Sequence, residues 1–251
     1  MTAEFRDTDA FKDARFINAD CSGLTLRDCN VTHFKITNSY LDDVRVSGHL
    51  GNVVVNDIDV TAFVQEELDR RHPERKQLRA MNSAADFEAM WTVIDQLWSD
   101  ATSRAQQLPE NSLDERVDDE WSFNETLRHL IFATDAWLGC LVDPSVFHRI
   151  GLPHSELPEA DALALGLDGD AQPSFEEVLE VRNDRLTAVR AVIDEVTDEG
   201  LEQVSLRSPM PDFPDERRTV RNCLRTVMAE ECGHLRYAIR DLAALEAERL
   251  S

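Results

Sequence analysis

The first part of the chain carries apolar side chains at a fixed interval of five residues. The series runs unbroken from position 11 to position 46, and another small or apolar residue stands two positions before most of its members. A period of five fits neither the 3.6-residue turn of a helix nor the two-residue alternation of a strand. It predicts a solenoid in which one apolar residue per side points inward. The members of the series are Phe11, Phe16, Cys21, Leu26, Val31, Ile36, Leu41 and Val46.

The period breaks after Val46 and resumes one residue short, at Val53 and Val55. We therefore assign residues 1–62 to the solenoid. At about four repeats per coil, such a segment makes only about two to three coils. So short a solenoid needs a neighbour to cover its open end. We expect an accessory or dimerisation cap, with a partner-binding platform as the alternative.

The rest of the chain is predicted to be helical. Residues 63–82 are predicted to be a charged linker helix segment. Its helix stops at His72-Pro73, because helical backbone is disfavoured for a residue that precedes proline. Residues 83–251 then contain four amphipathic patterns, which together suffice for a four-helix bundle. Ser83 is a predicted N-cap, and Ser122 with Glu125 forms a predicted capping box. The patterns run over about 83–107, 123–141, 174–196 and 220–248.

Composition excludes several classes of function. The net charge is −23, from 49 acidic and 26 basic residues, which disfavours binding to nucleic acid or to an anionic membrane surface. No stretch approaches the roughly 18 apolar residues of a membrane-spanning helix, and the N-terminus lacks the pattern of a signal peptide. The five cysteines show no CxxC spacing. We expect reduced thiols in a cytoplasmic protein.

Three residues in two of the helical patterns are candidate metal ligands. Glu230 and His234 are four residues apart, so they lie on one face of a helix, one turn apart. The second helical pattern contains a lone histidine, His129. Three nitrogen or oxygen ligands from two helices would form an open site for a first-row metal. Spacing alone leaves two alternatives: the histidines are merely hydrogen-bonded, or Glu231, nearer the centre of the apolar stripe, replaces Glu230.

Three stretches of this region carry a family resemblance. Residues 121–138 around His129, residues 151–154, and residues 230–242 around Glu230 and His234 resemble the DinB-like superfamily in order and spacing. This superfamily of four-helix bundles includes bacillithiol transferases and the mycothiol-dependent maleylpyruvate isomerase, and the resemblance covers about residues 83–248. It implies a divalent metal, zinc or nickel, bound by His129, Glu230 and His234.

The N-terminal series resembles a different family. Asn18-Ala19-Asp20-Cys21-Ser22 is close to the small–polar–large pattern of pentapeptide-repeat proteins, which form a right-handed, four-sided β-helix. The expected fold class is therefore α+β and mainly α: a short right-handed β-helix followed by a DinB-like four-helix bundle.

The resemblance implies a thiol S-transferase or a thiol-dependent isomerase. A low-molecular-weight thiol such as mycothiol would be activated at the metal and would attack an electrophile. A homodimer is also implied. Two alternatives stay open: a hydrolase that uses water at the same metal, and a non-catalytic interaction protein that keeps the metal site or its remnant.

Five further side chains are candidates for supporting roles. Glu231 and Arg240 could hydrogen-bond the metal ligands, and Glu231 could also act as a base. Arg217, Arg218 and His154 could bind the anionic groups of a thiol or substrate.

The dipeptide Cys232-Gly233 departs from the family. Close relatives usually carry a tryptophan and a charged residue at these two positions. Glycine inside a helix costs about 1 kcal/mol relative to alanine. We therefore expect the pair to loosen the turn that presents His234, or to open space for a substrate.

Overall fold

The computed structural model describes residues 3–6, 8–27, 29–118, 120–142, 162, 167–168, 170–205, 207–209 and 218–249. The chain divides into two compact units, residues 1–46 and residues 47–251.

In the first unit, left-handed backbone recurs every five residues. Each left-handed residue stands two positions after a member of the apolar series, where glycine, asparagine or aspartate tolerates positive φ best. Turns close at every second repeat, with Ala14 N donating to Phe11 O over 3.0 Å and Leu24 N donating to Cys21 O over 3.1 Å. The five-residue period is thus a property of the backbone as well as of the sequence. The left-handed residues are Asp13, Asn18, Gly23, His33, Asn38 and Asp43.

The structure does not show the apolar interior that the predicted solenoid would have. Phe11 is 44% exposed and Val46 is 69% exposed, and the other members of the series are exposed as well. The described residues of this unit form turns and bends without β-strands. An apolar interior forms only when successive coils stack on one another. The right-handed β-helix therefore stays a prediction.

The second unit opens with a small hairpin. Strand β1 (Val54–Val55) pairs antiparallel with β2 (Ile58–Asp59), and both residues between the strands have positive φ, as a two-residue hairpin turn requires. Thr61 Oγ1, at the start of the next helix, accepts a hydrogen bond from Val53 N at 2.8 Å. The hairpin is thus tied to the helices, so the units divide at 46/47, where the period breaks, rather than at the boundary expected at 62.

Two short helices follow where one linker helix was expected. Helix α1 (Thr61–Arg71) ends at the predicted His72-Pro73 stop, and α2 (Glu74–Ala80) continues the chain. Asp69 is buried at the junction and accepts hydrogen bonds from Arg75, at 3.1 Å, and from Arg79. A buried carboxylate needs such partners. Part of the segment expected to be a charged linker is therefore packed.

Four long helices form the body of the second unit. They begin at Ser83, Ser122, Ser174 and Thr219, each of which caps its helix with its side chain, and the three serines belong to capping boxes. The predicted caps at Ser83 and Ser122 are confirmed. The long helices are α3 (Ala84–Ala105), α4 (Phe123–Leu138), α5 (Phe175–Glu195) and α7 (Val220–Glu248). Short elements described between them include a 3₁₀ helix (Glu110–Asp114) and α6 (Asp198–Leu201).

The long helices share one apolar core. Helix α4 packs mainly against α7 and α5, α3 packs mainly against α7, and α2 lies against α3 and α7. The core contains Phe87 and Trp91 from α3, Phe123 and Leu127 from α4, and Leu235 from α7. The prediction of a mainly helical domain is confirmed. Within the described part of the chain, every helix is too short or too polar to cross a membrane.

Two buried ion pairs fix α5 against its neighbours. Arg185 bonds both carboxylate oxygens of Asp135 on α4, with Nη2–Oδ2 at 3.3 Å. Arg182, one turn earlier, bonds Glu231 on α7, with Nη2–Oε2 at 2.6 Å. None of the four side chains is more than 3% exposed. Because a buried charge is costly without its partner, these pairs determine which faces of α4, α5 and α7 meet.

We expect the substitution Arg185→Met to lower the free energy of unfolding by about 3–5 kcal/mol, because it leaves the Asp135 carboxylate buried without its guanidinium partner. Urea denaturation followed by circular dichroism measures the effect. The double variant Arg185→Met/Asp135→Leu should recover most of the loss, since an apolar pair of similar volume often replaces a buried ion pair without penalty.

The matched control is Arg104→Met. Arg104 pairs with Glu246 between α3 and α7, and both side chains are about one-third exposed. Loss of this pair should cost at most about 1 kcal/mol. Equal losses in Arg185→Met and Arg104→Met would contradict the role given to the buried pair.

Candidate metal centre

The structure brings His129, Glu230 and His234 together. Helix α7 runs without interruption through Glu230 and His234, and His234 Nε2 lies 3.3 Å from Glu230 Oε2. His129, from α4, places its own Nε2 3.2 Å from the same oxygen. The donor atoms of the three residues all lie within 4.8 Å of one another. Both imidazoles thus converge on one carboxylate oxygen.

The spacing of these donors suits a first-row metal ion. Zinc binds nitrogen and oxygen ligands at about 2.0–2.1 Å in a tetrahedron, which places neighbouring ligand atoms about 3.3 Å apart. Glu230 Oε2 stands at that distance from each histidine nitrogen. Two imidazoles and one carboxylate leave at least one position open for a substrate. The donor set therefore fits a divalent ion with open coordination positions.

The centre is partly open to solvent. The side chain of His129 is 12% exposed, that of His234 is 23% exposed, and that of Glu230 is 35% exposed. Each of the three side chains thus keeps part of its surface in contact with solvent, and Glu230 keeps the most.

The charge on Glu230 is set by its two histidine partners. Hydrogen bonding to His129, and then to His234, lowers the pKa of the Glu230 carboxyl to about 2, against the opposing effect of burial. The carboxyl is consequently ionised throughout the neutral range. A ligand that is already deprotonated binds a cation without first releasing a proton.

Trp121 forms part of the candidate centre. Its ring stacks on that of His234 at 5.9 Å with an interplanar angle of 16°, and its centroid lies 4.7 Å from the His129 ring. Trp121 directly precedes Ser122, and the capping box of Ser122 with Glu125 fixes how the chain enters α4. Trp121 precedes the helical pattern of α4, so the spacing of residues along the helix does not indicate which side chains it contacts. Its position next to the cap, at the start of the stretch 121–138 that resembles the family, was the available signal.

Glu231 and Arg240 are engaged by other partners. Glu231 is buried and paired with Arg182, whose guanidinium also lies 4.7 Å from the Trp98 ring centroid. Arg240 Nε donates to Asp241 Oδ1 at 2.7 Å, and its guanidinium lies over Tyr237. Glu231 thus has a structural partner on α5. A supporting role for either residue at the metal stays a prediction.

Of the three residues expected to bind substrate, only Arg218 is among the described residues, and it lies away from the cluster. Arg218 is buried, lies 5.9 Å from the ring centroid of Trp137, and stands about three helical turns before Glu230. Arg217 and His154 lie outside the described residues. Substrate binding by these three side chains stays a prediction.

Cys232 and Gly233 leave the helix intact. Cys232 belongs to the apolar core, and burial, as the largest cause, raises the pKa of its thiol to about 12. Gly233 is exposed, and a Cβ built there meets no atom within 4 Å. The glycine therefore faces open space rather than making room for a neighbour. The structure does not show the loosened turn that the sequence led us to expect.

We expect Glu230 to make the stability of the metal-free protein depend on pH. Its folded-state pKa lies below the ordinary carboxyl value of 4.5. The stabilisation is therefore present above about pH 4.5 and is lost as the pH falls towards about 2. Urea denaturation at pH 5.5 and at pH 3.5 should show Glu230→Gln much less stable than wild type at the higher pH and closer to it at the lower.

Glu88→Gln, on the exposed face of α3, is the control for this measurement. The difference in free energy of unfolding between Glu88→Gln and wild type should stay the same at both pH values. If the difference for Glu230→Gln also stays constant, the histidines do not hold the carboxylate in its charged form.

Comparisons with known proteins gave two matches. A family model described as the DinB superfamily matches residues 93–238, which is more than half of the chain. A crystal structure of a protein from Streptococcus pneumoniae is similar at 17% identity, with a TM-score of 0.48, over 69% of this chain and 97% of that one. Among curated proteins, none matches. By the family model, the chain belongs to the DinB superfamily.

Proposed function

We propose that this protein is a thiol S-transferase, or a thiol-dependent isomerase, that uses a divalent metal ion bound by His129, Glu230 and His234. Zinc and nickel are the expected ions, and a small thiol such as mycothiol is the expected cosubstrate. The observation that carries the proposal is the convergence of His129 Nε2 and His234 Nε2 on Glu230 Oε2, at 3.2 and 3.3 Å. Membership of the DinB superfamily supports a metal-dependent function. The resemblance to thiol-transferring members supports the class of reaction.

Each side chain of the centre has a definite part in this proposal. His129 and His234 would bind the ion through Nε2, and Glu230 would add one negative charge. A bound divalent ion lowers the pKa of a thiol and so supplies a thiolate nucleophile at neutral pH. The ring of Trp121 packs against both imidazoles and would help to keep them oriented. The exposed edge of Glu230 marks the side from which thiol and electrophile would approach.

The buried ion pair behind the centre supports the same arrangement. Arg182 neutralises Glu231 inside the protein, so the adjacent Glu230 is the carboxylate left for a cation. One negative charge against a divalent ion leaves a net charge of +1, which an anionic thiolate can balance. This charge balance favours an anionic nucleophile.

The first test is metal content. We expect about one zinc or nickel ion per chain by elemental mass spectrometry after the ion is supplied and the excess removed. His129→Ala should weaken binding by about 100-fold or more, because loss of a ligand costs at least as much as loss of the groups that orient it. Competition with a coloured chelator measures the affinity.

His49→Ala removes an exposed histidine far from the cluster in sequence and should leave the affinity unchanged. The proposal fails if wild-type protein takes up no stoichiometric ion and gains no thermal stability from zinc or nickel.

The second test is the reaction itself. Metal-loaded protein, mycothiol and a panel of electrophiles, including chloronitrobenzenes and epoxides, should give thioether products that mass spectrometry detects. Glu230→Ala should lower the rate by about 100-fold or more, because the ion contributes several kcal/mol to stabilisation of the transition state.

The product distinguishes the alternatives. Turnover without added thiol would indicate a hydrolase. Absence of turnover in protein that holds its ion, across thiols and electrophiles, would instead favour a non-catalytic interaction protein.

A further inference from the structure

Helix α7 has an open position on its surface one residue before His234. Gly233 is exposed, and a Cβ built there meets no atom within 4 Å. Residues three and four positions apart are neighbours on a helix surface. The open position is therefore bordered by Glu230 on one side and by Arg236 and Tyr237 on the other. We call it the Gly233 shelf, and it separates a candidate metal ligand from a pair of polar side chains.

Arg236 and Tyr237 are joined to each other and keep further hydrogen-bonding capacity. Arg236 Nη2 donates to Tyr237 Oη at 2.7 Å, and the guanidinium lies 4.6 Å from the Tyr237 ring centroid. A guanidinium has five N–H donors, and a phenol that accepts a hydrogen bond can still donate its own proton. Both side chains are partly exposed. A ligand on the shelf can therefore receive hydrogen bonds from both.

The charge of Arg236 is available for a ligand. Among the residues that the structure describes, Arg236 has no carboxylate partner, although the chain has 49 acidic residues and only 26 basic ones. Arg240 lies 5.3 Å from the same tyrosine ring, but its charge is balanced by Asp241. Guanidinium groups pair strongly with carboxylates and similar anions. The chemistry of the pair thus favours an anionic group.

We propose that Arg236 and Tyr237 bind a carboxylate on the small thiol whose sulfur the metal centre activates, with the thiol lying across the Gly233 shelf. The inference rests on the proposed function, because it assigns the second anchoring point of the same cosubstrate. A carboxylate can accept one hydrogen bond from the guanidinium and another from the phenol. The site would therefore select thiols that carry an acid group over neutral thiols.

The spacing along α7 suits such a ligand. Arg236 and Tyr237 follow His234 by a rise of only about 3 to 4.5 Å along the helix axis, and Arg236 follows Glu230 by about 9 Å. A thiol with a flexible chain of several carbons between its sulfur and its carboxylate can bridge such an interval. Because Gly233 has no side chain, nothing of its own stands between the two anchoring points.

The test compares two thiols that differ only in charge. The probes are ω-mercaptohexanoate, which carries a carboxylate, and its neutral methyl ester. Calorimetric titration of the zinc-loaded full chain should give a dissociation constant about tenfold lower for the acid, because a hydrogen bond to a charged group contributes enough for such a factor. The ester measures binding of the sulfur alone.

Two variants locate the preference for the acid. Arg236→Gln removes the guanidinium, and Gly233→Phe fills the shelf. Each should raise the dissociation constant of the acid to that of the ester, while the affinity for zinc stays unchanged. Gly233→Phe should fold normally, because a side chain at this position starts in open space. A thermal melt of each variant, followed by circular dichroism, checks this point.

The matched control is Arg249→Gln, which removes the same charge at the end of α7, about 22 Å beyond His234 along the helix axis. This variant should keep the preference for the acid. Equal binding of acid and ester by the unsubstituted protein would overturn the inference and leave thiol binding at the metal in place. A preference that survives Arg236→Gln would overturn it too. If neither thiol binds, the proposed function fails, and the inference fails with it.

Discussion

The buried pairing of Arg182 with Glu231 is the constraint on which the rest of this protein depends. Both side chains are almost inaccessible to water, so neither tolerates loss of the other. The pair fixes the rotation of α7 relative to α5. Because successive residues of a helix are turned by about 100°, a Glu231 directed at α5 leaves Glu230 directed at α4, where His129 meets it. The position of the candidate metal centre is thus set by an interaction that takes no part in it.

The neighbouring glutamates show how far sequence reasoning reaches. Helical spacing alone placed Glu231 nearer the apolar stripe and could not decide which carboxylate faces the histidines. The resemblance selected Glu230, and the structure brings that residue to both imidazoles. Glu231 lies near the centre of the apolar stripe because it is buried and paired with Arg182 on α5. The sequence does not reveal this partner, since the two residues are 49 positions apart.

Local features were predicted well, whereas features that need a distant partner were not. Caps at Ser83 and Ser122 and the stop at His72-Pro73 are confirmed, since each depends on a few consecutive residues. The packing of residues 63–82 and the contact of Trp121 with the histidines were missed, because both depend on residues brought from far along the chain. The first unit shows the same contrast. Its five-residue period is a local feature and recurs in the backbone, whereas an apolar interior would require successive coils to stack.

The donor cluster joins residues that are far apart in the order of synthesis. His129 precedes Glu230 by 101 residues, so α4 leaves the ribosome well before the strip of α7 that completes the cluster. A nascent chain with α4 alone offers one imidazole, which is a poor ligand set for any cation. An ion captured at all three donors is therefore captured by a nearly finished fold, and its arrival reports that the second and the last of the four long helices have found each other.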